Sequence, residues 1–231
     1  MRSIKAVFIK QAKDMFKNPM VLIMFIIFPL VALLMTQLVA KSNDDVSNNM
    51  FVTMMSSVFV GMALITAMTS FIAEDKERKS LRFLVMAGVK PHQYLLGVGG
   101  FLLLAATVTS IVFALIGDFT LAEMLKFLLV MITGSAASII LGASIGMLSK
   151  NQQAASSLAM PVAVIIGFTP MIAAFNDTVA NFASILYTQQ INVVVNDFSM
   201  DLFMPLLVIA LNIIALTGIF IFAYKKRGLK G

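Results

Sequence analysis

Of the 231 residues, 60% are hydrophobic and only 12% charged, whereas a soluble domain carries about 25% charged residues; a water-soluble fold is therefore excluded in favour of a polytopic membrane protein. The absence of cysteine excludes a disulfide framework and a thiolate metal site. The formal charge of +6 matches many nucleic-acid binders, but the basic residues flank the apolar runs, as they do in proteins that orient themselves in a membrane, which argues against nucleic acid as a partner.

In chain order, residues 1–18 carry a helical period. At about 100° per residue, Ile4, Val7, Phe8, Ala12 and Met15 share one arc, with Arg2, Lys5, Lys10, Lys13 and Lys17 opposite. The spacing predicts a basic amphipathic helix lying in the headgroup plane, apolar side down, with Lys5, Phe8, Lys13 and Phe16 as its characteristic contacts. It reads as a topological anchor, as a lever to a soluble partner, or as both. It is not a secretory signal, because the apolar stretch behind it is too long and ends in no small-residue cleavage site. Asn18-Pro19 breaks this helix before the chain enters the bilayer.

A hydrocarbon core about 30 Å thick needs roughly 20 apolar residues in a helix. Six segments meet that requirement: 19–40, 50–73, 94–116, 122–148, 154–175 and 203–224. Pro29, Pro161 and Pro170 predict kinks in spans one and five. Span two carries Thr66, Thr69 and Ser70, and span three Thr107, Thr109 and Ser110. Gly134, Ser138, Gly142 and Gly146 recur every fourth residue in span four, a small-residue stripe suited to close helix packing, or else to a dimer seam or substrate groove. Glu123 and Lys126, three residues apart at the start of that span, can pair along the helix or reach the headgroups. Residues 176–202 hold two apolar patches too short to cross, one around Phe182, Ile185, Leu186 and Tyr187 and one through Ile191, Val193, Val194 and Val195; they predict short re-entrant helices capping an exit. Glu123, Lys126 and Tyr187 are accordingly the candidates for an outer gate.

Orientation follows from the basic residues. Arg2, Lys5, Lys10, Lys13 and Lys17 precede span one; Lys76, Arg78, Lys79, Arg82 and Lys90 follow span two; Lys150 follows span four; Lys225, Lys226, Arg227 and Lys230 follow span six. Only Lys41 and Lys126 fall on the other side, together with Asp44, Asp45, Asp118, Glu123, Asp177, Asp197 and Asp201. Both termini are therefore expected in the cytoplasm. The densest charge lies in the loop 74–93, where Glu74, Asp75, Lys76, Glu77, Arg78 and Lys79 run without interruption and Arg82 follows after Ser80 and Leu81. A membrane protein that gathers its charge in one internal loop presents it to a soluble partner.

Catalytic signatures are missing. His92 is the sole histidine, a poor zinc site without cysteine to help. There is no HExxH motif, no GxSxG elbow and no phosphate-binding P-loop, so any work driven by ATP comes from another subunit. The mid-depth portions of the spans carry no Asp, Glu, Lys or Arg, which weighs against ion-coupled carriage.

Taken together, the basic helix, the run NPMVLIMFIIFPL at 18–30, the loop FIAEDKERKSL at 71–81, the segment GMLSKNQQAASSLAMPV at 146–162 and the short-helix region before the last span resemble the membrane subunit of type-2 ATP-binding-cassette exporters, over essentially the whole chain. In that family the loop after span two docks on a separate ATPase, often through E-[DEK]-[KR]-E-R-G-T-L. Glu74, Asp75, Lys76, Glu77, Arg78 and Leu81 match; Lys79 and Ser80 replace Gly-Thr, Arg82 takes a position that is often acidic, and Val98 follows Leu95-Leu96-Gly97 where Lys is common. The resemblance implies an all-α permease that binds no cofactor itself, with ATP and Mg on two partner ATPase subunits. It also implies a second permease copy or a paralogue, and a lipid-embedded location in a bacterial plasma membrane. Without Trp and with three Tyr, the chain is ill equipped to stack sugars, and a Met- and Phe-rich interior suits hydrophobic or amphipathic cargo such as a drug, a lipid-like antibiotic or an antimicrobial peptide. The alternatives are a stand-alone ion-coupled carrier and a membrane scaffold without transport activity.

Overall fold

The computed structural model describes residues 2–42, 47, 49–86, 88–89 and 91–227, with some side chains among them undefined, including those of Arg2, Lys41, Leu81, Arg82, Lys226 and Arg227. Every regular element among the described residues is helical: α1 (Arg2–Lys17), α2 (Pro19–Leu38), α3 (Met50–Val58), α4 (Leu64–Glu77), α5 (Ser80–Met86), α6 (Pro91–Ile116), α7 (Leu121–Leu148), α8 (Gln152–Ala173), α9 (Asp177–Ala183), α10 (Tyr187–Asn196) and α11 (Phe203–Arg227), with a short 3₁₀ turn at Ala40–Ser42. Six helices are long and apolar enough to cross a membrane, which is the all-α, six-span architecture expected from the sequence. The second span is α3 and α4 joined through a π-helical turn at Phe59–Ala63.

Local chemistry sets the boundaries. Asn18 accepts a hydrogen bond from Val21 N at 3.3 Å and Pro19 follows it at the first helical position, so α1 stops and α2 starts at one dipeptide. Thr120 and Glu123 form a reciprocal capping box on α7: Thr120 N donates to Glu123 Oε2 at 2.8 Å, and Glu123 N donates to Thr120 Oγ1 at 3.4 Å. The Asn151 and Asn176 side chains cap α8 and α9 more simply, accepting from Ala154 N and Val179 N. Lys79 breaks the chain between α4 and α5 with a left-handed φ of 59°.

The second span is the axle of the bundle, with 72% of its apolar window buried. α7 lies along α4 and also packs on α6 and α11; α8 crosses α4 and the π turn; α2 leans on α3 and α6. The glycines of α7 allow that closeness. A Cβ at Gly142 would stand 2.6 Å from Ile65 O, and one at Gly146 would stand 2.9 Å from Ile72 Cβ. Gly134 faces Ile191, and Ser138 donates to Val60 O at 2.6 Å. The small-residue stripe is thus taken up inside the chain by span two and α10, and is not left as an outward seam.

The amphipathic pattern of the first helix is present but points elsewhere. Val7, Gln11 and Met15 are buried, and α1 packs on α6, with Phe8 edge-on to Phe101 at a centroid distance of 5.4 Å. The apolar arc therefore faces protein. Phe16, 76% exposed, stands on the outer side beside the exposed Lys13 and Lys17. Lys10, placed with the solvated cations by the helical wheel, turns inward.

Candidate functional site

The charged run at the end of span two does not behave as one solvated loop. Residues 74–77 are the last turn of α4, and each of the four side chains has its own destination. Asp75 is only 4% exposed; it receives hydrogen bonds from Lys10 Nζ and, at 2.8 Å, from Tyr94 OH. Lys10 also pairs with Asp14 at 3.0 Å, so α1, α4 and α6 meet at one carboxylate. Burying a carboxylate is tolerable only with such partners. Desolvation works against the Lys10 ammonium, but Asp75 and Asp14 outweigh it and hold its pKa above the ordinary value of 10.5.

Lys76 reaches across to α7, donating to Met147 O at 2.7 Å and Ser149 O at 2.5 Å, carbonyls at the helix end that have no intrahelical donor. Glu77 reaches to α8, where its Oε2 accepts from Gln152 N at 3.1 Å. Glu74 and Arg78 pair with each other at 2.9 Å, one turn apart, and the Arg78 side chain is 71% exposed. Lys79 is exposed as well. Leu81 and Arg82 belong to α5, but their side chains lie outside the described residues.

Glu74 and Arg78 also line a polar cleft of about 230 Å³ with Asp14, Lys17 and Gln152, at the convergence of α1, α2, α4 and α8. On the opposite side of the chemistry scale, an apolar cleft of about 350 Å³ opens between α2 and α6, lined by Phe25, Pro29, Leu33, Val108 and Val112. Among the described residues no three His, Asp or Glu side chains converge as metal ligands would.

At the other end of the bundle, the three residues grouped by sequence do not meet as a gate. Glu123 is occupied by its capping box, and Lys126 Nζ donates to Phe198 O at 2.5 Å, tying α7 to the chain before α11. Tyr187 is buried, its hydroxyl 2.7 Å from Ser138 Oγ, which itself donates to Val60 O in the π turn. Next to it, Thr188 donates to Ile166 O of α8 at 2.8 Å. α10 is therefore pinned to α7, whose Ser138 also holds the π turn, and to α8. Asp197, in the link to α11, accepts hydrogen bonds from the Ser199 hydroxyl and backbone N–H, which lower its pKa.

Sequence reasoning missed Tyr94 and the inward role of Lys10, and it placed Ser138 in the small-residue stripe without its hydrogen bonds. Those bonds, like that of Tyr94, cross tertiary contacts that no local pattern marks. Lys10 did carry a signal, since it stands four residues before Asp14, the single acid of the first 18 residues.

The family profile described as ABC-2 family transporter protein matches residues 34–224. The chain belongs to this family of ABC-2 type permeases, the membrane components that work with ABC ATPase subunits. No curated protein matches it.

Proposed function

We propose that this chain is the permease of an ATP-driven exporter, in which two copies, or one copy and a close relative, enclose the pathway and two separate ATPase subunits dock on the charged end. That end faces the cytoplasm, with both termini, in the plasma membrane of a bacterial cell. The observation that carries this reading is the division of labour within the charged run. Arg78 and Lys79 are exposed, where a soluble partner can reach them, with the half-buried Glu74 paired to Arg78, while Asp75, Lys76 and Glu77 bond the helices behind, Glu77 from an exposed position. Leu81 and Arg82 follow in α5 and extend the same docking element. ATP, with its Mg, is bound and hydrolysed on the partner; closure of the ATPase pair pushes on the loop, and α4 carries the displacement into the bundle. The cargo is hydrophobic or amphipathic, in keeping with the apolar cleft between α2 and α6 and with a chain free of Trp.

Purification in detergent tests the assignment. A P-loop ATPase is expected to co-purify at a permease-to-ATPase ratio of about one, and replacing both Glu74 and Arg78 by Ala is expected to weaken that association, more so as salt rises. Cargo movement that persists after ATP depletion and follows an ion gradient overturns the assignment in favour of a secondary carrier.

A further inference from the structure

Two consecutive residues of α4 hold two opposite helix ends. The last carbonyls of a helix carry partial negative charge and the first N–H groups partial positive charge. Lys76 lies on Met147 O and Ser149 O at the end of α7, and Glu77 lies on Gln152 N at the start of α8. Each side chain has the sign that its helix end attracts. The junction Ser149–Lys150–Asn151 between the two helices is thereby bracketed by a single dipeptide of the charged run.

Both helices lie along span two behind these attachments. α7 meets α4 through Gly142, Gly146 and the Thr69 Oγ1 to Gly142 O hydrogen bond of 2.9 Å. α8 packs on α4, the π turn and α3, burying Ala155, Ala159, Ala163 and Gly167 in a small-residue stripe of its own, and a Cβ on Gly61 would come within 2.5 Å of Gly167 Cα. A displacement of the α4 end therefore reaches α7 and α8 together, at the one place where their ends meet the charged run.

We propose that Lys76 and Glu77 are positioning residues that transmit movement of the charged run to the α7–α8 junction, Lys76 through the end of α7 and Glu77 through the start of α8. This rests on the ATP-driven reading above and deepens it. Glu77 then acts as a hydrogen-bond acceptor for a backbone N–H, not as a docking charge.

That distinction supplies the experiment. The chain lacks cysteine, so Leu158→Cys, an exposed position on α8, takes a single fluorophore in the permease–ATPase complex reconstituted in lipid. The signal is its change on trapping with ATP and vanadate, with ATPase co-purification recorded for every variant. Glu77→Ala is expected to cut the change about fivefold, the scale of one lost capping interaction. Glu77→Gln, which keeps an acceptor oxygen, is expected to retain it, and Lys76→Arg is expected to outperform Lys76→Met. Parent-level amplitude in Glu77→Ala overturns the proposal, as does equal loss in Glu77→Gln or a loss of the ATPase from either Glu77 variant. If Glu77→Ala fails to fold and insert, Glu77→Gln decides alone: retained amplitude supports the clasp and reduced amplitude overturns it. A parent complex that holds no ATPase overturns the ATP-driven reading and the clasp together, whereas an intact parent with an unaffected Glu77→Ala overturns the clasp only.

Discussion

α7 and α8 follow one another with three residues between them, yet 56% of the α7 window is buried against 28% for α8. Their sequences explain the contrast. α7 places glycine at 134, 142 and 146 and serine at 138 on one side, so its backbone approaches span two closely enough for side-chain-to-carbonyl hydrogen bonds to form. α8 carries Pro161 and Pro170, each without an N–H for the helix ladder, and lays Ala155, Ala159, Ala163 and Gly167 against the chain, so one narrow face is buried and much of its circumference is not. Two adjacent apolar helices thus differ in how much of their circumference the rest of the chain covers.

The contrast can be broken at several strengths, read as shifts of Tm in detergent. Gly142→Ala is expected to cost the most, about 3 kcal/mol, because the new Cβ meets the Ile65 carbonyl, part of a packed backbone. Ser138→Ala leaves Val60 O and the Tyr187 hydroxyl buried without that partner and is expected to cost about 2 kcal/mol. Thr120→Ala removes the α7 cap and is expected to cost about 1 kcal/mol. Gly167→Ala sharpens the comparison from the other side. Its Cβ would find Met62 N and Val58 O at 3.4 Å, an ordinary contact, so Tm should hold or rise by the equivalent of about 0.5 kcal/mol, from helix propensity. A loss as large as that of Gly142→Ala would show α8 to be packed there as tightly as α7.

The smallest effect concerns pH and the helix that, like α7, is clamped in place. Lys10 has a raised pKa, so its contribution to docking α1 is complete below 10.5 and is lost only as pH climbs through the raised value. Limited proteolysis of α1 is expected to be flat across roughly pH 6 to 9 and to accelerate only in strong alkali. An increase on acidification within that window would point to a different tether.

Much of this architecture was legible in the amino acids. Hydropathy located six spans because each needs a long apolar run, and Asn18-Pro19 marked a real helix boundary because capping and the proline break are local chemistry. The functional end was legible in place but not in direction. Glu74 to Lys79 looks uniformly hydrophilic as a string, and only the arrival of α1, α6, α7 and α8 around it separates Asp75, Lys76 and Glu77 from Glu74 and Arg78. The residues grouped as an outer gate are dispersed for the same reason: Glu123 bonds within its own helix cap, Lys126 bonds Phe198 O and Tyr187 bonds Ser138 of α7.

The π turn at Phe59–Ala63 has a further bearing on the whole machine. It accommodates one surplus residue, and in a regular helix each residue advances the azimuth by about 100°. Because the wide turn absorbs that residue by under-winding, excising a single position there would leave Asp75, Lys76 and Glu77 nearly in phase with Lys10, Ser149 and Gln152, whereas excising one from the regular turns of α4 would swing them by about 100°. The π turn is therefore the place where span two can lose a residue and keep its register.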